Sequence, residues 1–172
     1  MNSSIVISSE LSPKKNVTKS IDNFLNAFKP HEVKMGTKLL LHFDEKSEAY
    51  YLMCHLDGKV LARHCDLEAS LDAGEDDEIY KLNREITEDQ PAYKLMEEDA
   101  ENGRSFEDLV LEYETSYHPQ KSLKVYGGQH RLRAIIKAQH VKGSVLHGVR
   151  VYFDLSREQK VEIATVSNTS IA

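Results

Sequence analysis

The chain has 172 residues, long enough for one hydrophobic core and short for two, because domains usually run to roughly 100–150 residues. With 28 Asp and Glu against 22 Lys and Arg the formal net charge is -6, which excludes a protein wrapped on all sides by nucleic acid and confines any such contact to a local patch. Two cysteines, no apolar run long enough for a bilayer, and a start (Met1-Asn2-Ser3-Ser4) without the basic and apolar regions of a signal peptide point to a soluble cytoplasmic protein with no membrane partner.

Residues 1–18 are polar apart from Ile5-Val6-Ile7 and read as a frayed arm or an edge strand. Ser20 offers an N-cap to a short helix whose apolar residues Ile21, Phe24, Leu25 and Phe28 recur at helical spacing, and Pro30 stops it. Residues 38–43, 49–56 and 59–65 read as three strands of a meander, with Asp57-Gly58 as the second, two-residue turn. In that register His55 faces Val60, Cys54 faces Leu61 and Tyr51 faces His64. The Cys54-His55 and His64-Cys65 pairs suggest zinc, but about four strand positions, on the order of 13 Å, would separate the thiols, too far to share one ion. Buried thiols and strand histidines are the expectation, with no metal site.

Residues 66–88 are acidic and read as partly helical. A second helix opens near Asp89-Gln90-Pro91 and ends at Asn102-Gly103, where glycine can take a left-handed cap. Residues 106–113 read as a strand and His118-Pro119-Gln120 as a turn. Charge divides this half of the chain. Residues 66–114 are heavily acidic, whereas residues 115–153 contain no Asp or Glu and carry Lys121, Lys124, Arg131, Arg133, Lys137, Lys142 and Arg150. Such a stretch suits an anion, or it neutralises the acidic segment across the fold.

Ser122-Leu123-Lys124-Val125-Tyr126 reads as a strand running into Gly127-Gly128 and then a helix over residues 129–138, with Leu132, Ile135 and Ile136 buried and His130, Arg133 and Lys137 on another face. Two glycines between strand and helix permit positive φ and close approach to the backbone, for a ligand or for tight packing alone. A helix start presents N–H groups and a positive dipole end to an anion, and His130 and Arg131 add charged donors. His130 either serves a phosphate or meets a backbone carbonyl. Arg131 works against the helix dipole, so something anionic should compensate it: a ligand, or a carboxylate such as Glu97 or Asp99. Arg133 and Lys137 read first as solvated helix-face charges. Lys121, Lys124, Arg133 and Lys137 are the candidate nucleic-acid contacts.

Tyr126-Gly127-Gly128-Gln129-His130-Arg131 resembles the phosphate-binding motif of the ParB/sulfiredoxin-like superfamily. In letters it is nearest to the DGQHR-domain proteins, which include regulators of DNA phosphorothioate modification, and to the aromatic-Gly-Gly-Cys-His-Arg turn of sulfiredoxin. Residues 93–103 resemble the ParB helix that ends in a glycine before a strand, and residues 149–153 resemble the strand that follows the motif. Ser156 and Gln159 open the next helix as a capping box. Val166-Ser167-Asn168 stands where ParB-like proteins carry Glu-Asn. The resemblance spans roughly residues 91–172, about half the chain.

It implies an α/β (α+β) fold: a ParB/sulfiredoxin-like core of a small mixed sheet flanked by helices at 91–172, preceded by an extension at 1–90 with a helix and a β-meander, the two forming one compact domain. It implies ATP or another nucleoside triphosphate as ligand, with Mg2+ as an optional companion, bound through Gly127, Gly128, Gln129, His130, Arg131 and Asn168, although Asn168 can equally cap the chain end. The departures bear on turnover. Gln129 occupies the position of sulfiredoxin's reactive cysteine, which excludes sulfinic-acid reduction. Gly127 stands for the Asp of DGQHR proteins and Ser167 for the Glu that ParB uses in hydrolysis, so binding is retained and hydrolysis weakened. The implied role is a DNA-linked process such as modification control, partition or defence. The alternatives are a DNA- or RNA-binding regulator using the same basic turn, and an ATP-using phosphotransferase or nuclease. DNA contact by the isolated chain is expected to be weak, with a homodimer or a protein partner left open. The sequence ends four residues after Asn168, as a minimal protein of this type or as a piece of a longer one.

Overall fold

The structure, a computed structural model, describes residues 4–8, 10–67, 91–107, 109–114, 120–142 and 144–169. Among these, seven strands form one mixed sheet with α-helices on both faces, an α/β fold. The N-terminal arm supplies β1 (Ile5–Val6), a two-residue edge strand parallel to β2 (Leu39–Asp44). Helix α1 spans Lys15–Phe28, beginning five residues before the Ser20 cap read from the sequence. Val17 extends the buried stripe of Ile21, Phe24, Leu25 and Phe28 by one turn, and the Ser20 hydroxyl donates to Asp154 Oδ2 at 2.8 Å. Packing, not capping, sets where this helix starts. Lys29 ends it in the left-handed region (φ 46°), and Pro30 opens the short helix α2 (His31–Lys34).

β2 and β3 (Ala49–Asp57) form the expected antiparallel hairpin, with His42 opposite Tyr51. The third strand of the meander is not there: Gly58–His64 is a helix, α3. Asp57 is its N-cap, its Oδ1 accepting from Lys59 N at 2.9 Å, so the Asp-Gly pair starts a helix where the sequence suggested a turn. Strand β3 needs no local partner on that side, because its free edge pairs along seven residues with a strand from the far end of the chain. The hairpin pairings of His55, Cys54 and Tyr51 with residues 60, 61 and 64 fall with it.

Residues Cys65–Asp66 form β4 on the opposite border of the sheet. Of residues 66–88, expected to be partly helical, Asp66 lies in β4 and residues 68–88 lie outside the described residues, as does the turn at residues 118 and 119. Helix α4 (Pro91–Glu101) ends with Gly103 at φ 85°, as its sequence signals suggested. Then come β5 (Leu109–Tyr113), β6 (Leu123–Gly127), α5 (Gln129–Lys137), β7 (Leu146–Phe153) and α6 (Arg157–Thr169). The Ser156–Gln159 capping box is formed in both directions, at 2.8 and 3.2 Å.

The strand order is β1-β2-β3-β7-β5-β6-β4, so β7 joins the N-terminal hairpin, antiparallel, to β5, parallel. One face packs its apolar residues under α1, α3 and α5 around Phe24, Leu61 and Leu132. The other carries a smaller cluster, Tyr126, Tyr152, Leu155, Ile163 and Ala164, under α6. Three strands lie between Cys54 on β3 and Cys65 on β4, about 19 Å at ~4.8 Å per strand. Burial pushes both thiols up, and among the described residues no three His, Cys, Asp or Glu side chains are grouped to hold a metal ion. Nor is any described helix long and apolar enough to cross a membrane.

Replacing Asp57 by Ala removes the α3 cap and is expected to lower stability by about 1 kcal/mol, with Asp57→Asn restoring most of it. Urea denaturation measures both. No loss in Asp57→Ala would mean the cap contributes nothing to α3.

Candidate anion-binding site

The site is built where β6 meets α5. Opposite β5 the register slips: Leu111 pairs with Val125, but Val110 pairs with Gly127. The bulge brings Gly127 round to the α6 side of the sheet, as bulges beside functional sites often re-aim the chain. A Cβ on Gly127 would lie 3.0 Å from Ser167 Cβ and 3.2 Å from Val110 Cγ2. What approaches this glycine is therefore the protein itself, and tight packing explains it.

Gly128 is different. It sits at φ 78°, ψ 26°, a conformation natural to glycine, and is the N-cap of α5. Its carbonyl accepts from Leu132 N at 2.9 Å. The amides of residues 129–131 belong to the first turn, which in any α-helix has no carbonyl partner within the helix.

The expected ligand residues separate into groups. Gln129 is buried, and its Nε2 donates to Val125 O at 3.2 Å, so its side chain braces the turn from inside. The half-buried His130 ring meets Tyr93 of α4 edge to face at 6.1 Å between centroids. Arg131 Nη1 donates to Glu107 O at 3.0 Å. Neither carboxylate proposed for it is engaged there: Glu97 pairs with Lys137 at 3.6 Å and Asp99 with Arg104 at 2.7 Å. Among the described residues, Arg131 has a carbonyl partner and no carboxylate. Asn168 lies in the last turn of α6, next to the Ser167 that faces Gly127, and its side chain is outside the described part.

The stripe of lysines does not form as one surface. Lys124 is only 4% exposed and pairs with Glu114 at 3.1 Å, because β6 turns it toward the α6 side of the sheet. Lys124 is therefore not placed to contact nucleic acid. Lys137 is tied to α4 through Glu97 and lies over the Tyr93 ring, its Nζ 5.6 Å from the centroid. Lys121 is exposed and Arg133 half-buried.

Sequence reasoning missed the polar network beneath α6. Glu112 on β5 is fully buried, accepting from Tyr126 OH at 2.5 Å and from Leu155 N at 3.0 Å. Burial pushes its carboxyl up to about 7, against the opposing pull of the Tyr126 hydroxyl, Lys160 and the Leu155 amide, while Glu114 adds to the rise. Burial also acts on Glu114, but Lys124 and Lys160 overcome it and hold that carboxyl below its ordinary value. The available signal was a lone acid inside the apolar strand Leu109–Tyr113. Tyr126, read only as the letter before the glycines, thus fastens the turn to β5 and to the start of α6.

No protein-family model matches the chain, and no curated protein or solved structure matches it either.

The folded-state value of Glu112 lies above its ordinary 4.5, so its contribution to stability is full below about pH 4.5 and is lost as pH rises through about 7. Relative to Glu112→Gln, wild type is expected to lose up to about 3 kcal/mol across that window. Denaturant titrations of both proteins between those pH values measure it. Parallel curves would show that Glu112 does not titrate in the window.

Proposed function

We propose that this chain binds a nucleoside triphosphate where Gly128 opens α5 and that it acts in a DNA-linked process. The observation that carries the reading is Arg131. It is a permanent cation in the first turn of a helix, where the dipole disfavours it, and among the described residues only the neutral carbonyl of Glu107 meets it. Gly128 supports the same reading by opening α5 in the left-handed region, which lets an anion approach first-turn amides. His130 stands beside them as a further donor. The role in modification control, partition or defence rests on the resemblance of residues 126–131 to ParB/sulfiredoxin-like motifs, and folds host many functions. The Gln129 side chain braces the turn, so Gln129 offers a ligand its backbone amide alone.

Thermal denaturation with millimolar ATP, CTP or GTP, with and without Mg2+, tests the reading, since a ligand of the native state must raise Tm by mass action. Gly128→Val is expected to abolish the rise. Arg131→Gln, which leaves the backbone unchanged, is expected to weaken binding about tenfold or more, the scale of a lost hydrogen bond to a charged group. A wild-type Tm that stays constant with every nucleotide would overturn the proposal.

Nucleic-acid backbone at the same turn is the competing reading, and the burial of Lys124 with the pairing of Lys137 weighs against it. Duplex DNA is expected to bind weakly, with a log–log salt slope reflecting only a few phosphates. Titration at two salt concentrations, for wild type and for Lys121→Glu with Lys142→Glu, measures that slope. Submicromolar, steeply salt-dependent binding lost in the double variant would make nucleic acid the primary ligand.

A further inference from the structure

Helix α6 covers only part of its face of the sheet. Beside it lies a trough of two hollows, about 270 and 290 Å3, that adjoin at Val110 and Arg150, which line both. Met53 and Glu107 lie toward one end, Ser167 and Val166 toward the other. Strand register fixes the course of this trough. Met53 pairs with Arg150, Arg150 with Val110, and Val110 with Gly127, so one row crosses four strands, the hollows lying over its first three members and Gly127 packed under Val110 and Ser167 at its end. At ~4.8 Å per strand, Arg150 stands about 10 Å from Gly127. Small-ligand pockets start at roughly 300 Å3, which each hollow approaches.

The trough is lined for a flat, uncharged group. The Arg150 guanidinium lies 4.5 Å from the Tyr51 ring centroid, with Nη1 3.5 Å from Tyr152 Oη. His42 stacks on Tyr51 at 4.9 Å and 9° between planes. Arg150 is thus held over the Tyr51 ring while it lines both hollows, and guanidinium groups stack on nucleobases. Val110 and the 49% exposed Met53 give the row its apolar sides. Glu107, Asp44 and Glu162 also line the hollows, and Glu162 is neutralised by Lys46 at 3.2 Å. Glu107 and Asp44 oppose a phosphate in the trough, which leaves the phosphates to Arg131, outside the hollows, whose Nη1 donates to Glu107 O.

We infer that the trough is the base subsite of the nucleotide proposed above, with the base stacked on Arg150 between Val110 and Met53. This rests on the phosphate reading of the turn. It assigns binding roles to Arg150, Val110 and Met53, none of which lies in the strand–turn–helix motif.

Titration calorimetry of the full chain with ATP, CTP and inorganic tripolyphosphate, all with Mg2+, tests it. Wild type is expected to hold at least one nucleotide about tenfold more tightly than tripolyphosphate, the scale of one stacked base. Arg150→Lys keeps the charge and removes the plane. Met53→Glu narrows the trough from a half-exposed position whose loss leaves the core intact. Both are expected to bring nucleotide affinity to within about twofold of tripolyphosphate, with tripolyphosphate affinity unchanged and circular dichroism reporting the native fold. The inference is overturned if wild type holds tripolyphosphate as tightly as both nucleotides, or if the folded variants keep the wild-type preference. Failure of all three ligands to bind wild type would overturn the phosphate reading itself, and this inference with it.

Discussion

At Gly127 the main chain of β6 lies so near α6 that a methyl group there would meet Ser167 Cβ at 3.0 Å. This approach requires the missing side chain, and the neighbouring features follow from it. The bulge brings Gly127 to face Val110, Tyr126 reaches the Glu112 carboxyl, and Glu112 in turn accepts from Leu155 N just before the α6 capping box. Strand, turn and covering helix are thereby joined through one buried carboxylate. Gly128 is then left as the residue whose backbone freedom serves the helix start. Of two adjacent glycines, one is required by packing and the other by conformation.

The C-terminal half was legible in the sequence because its signals are local. Pro91 and Gly103 bracket α4, the run from Leu123 to Tyr126 into two glycines marks β6, and Ser156 with Gln159 caps α6. Those features depend on residues a few positions apart, within the reach of propensity and capping rules. The α3 segment failed because Asp-Gly serves a helix cap as well as a hairpin, and what decided between them was β7, some 90 residues away. Ser20 failed likewise: Asp154, on the far side of the chain, takes its hydroxyl.

Within the site, legibility followed the same division. Gly128 and the first turn of α5 could be read from neighbouring letters. The burial of Lys124 and the inward turn of Gln129 could not, since each depends on which sheet face is covered and by what. The arginine on β7 was counted only as one charge in an acid-free stretch. Its stacking on Tyr51 joins residues 99 positions apart in sequence, and alternation within β7 alone does not specify it.

The position of β7 also bears on how the chain reaches its fold. Its ladders with β3 and β5 close loops of very different length, and the longer spans most of the protein. Loop closure of that kind precedes the reward of pairing and slows folding relative to local structure. During synthesis from the N-terminus, the β2–β3 hairpin and β5 emerge with facing edges open and must wait for residues 146–153 before either is satisfied. The nascent chain therefore passes through an interval in which two apolar strand edges can pair with the wrong partner, and the speed with which the last quarter of the sequence is made governs how long that exposure lasts.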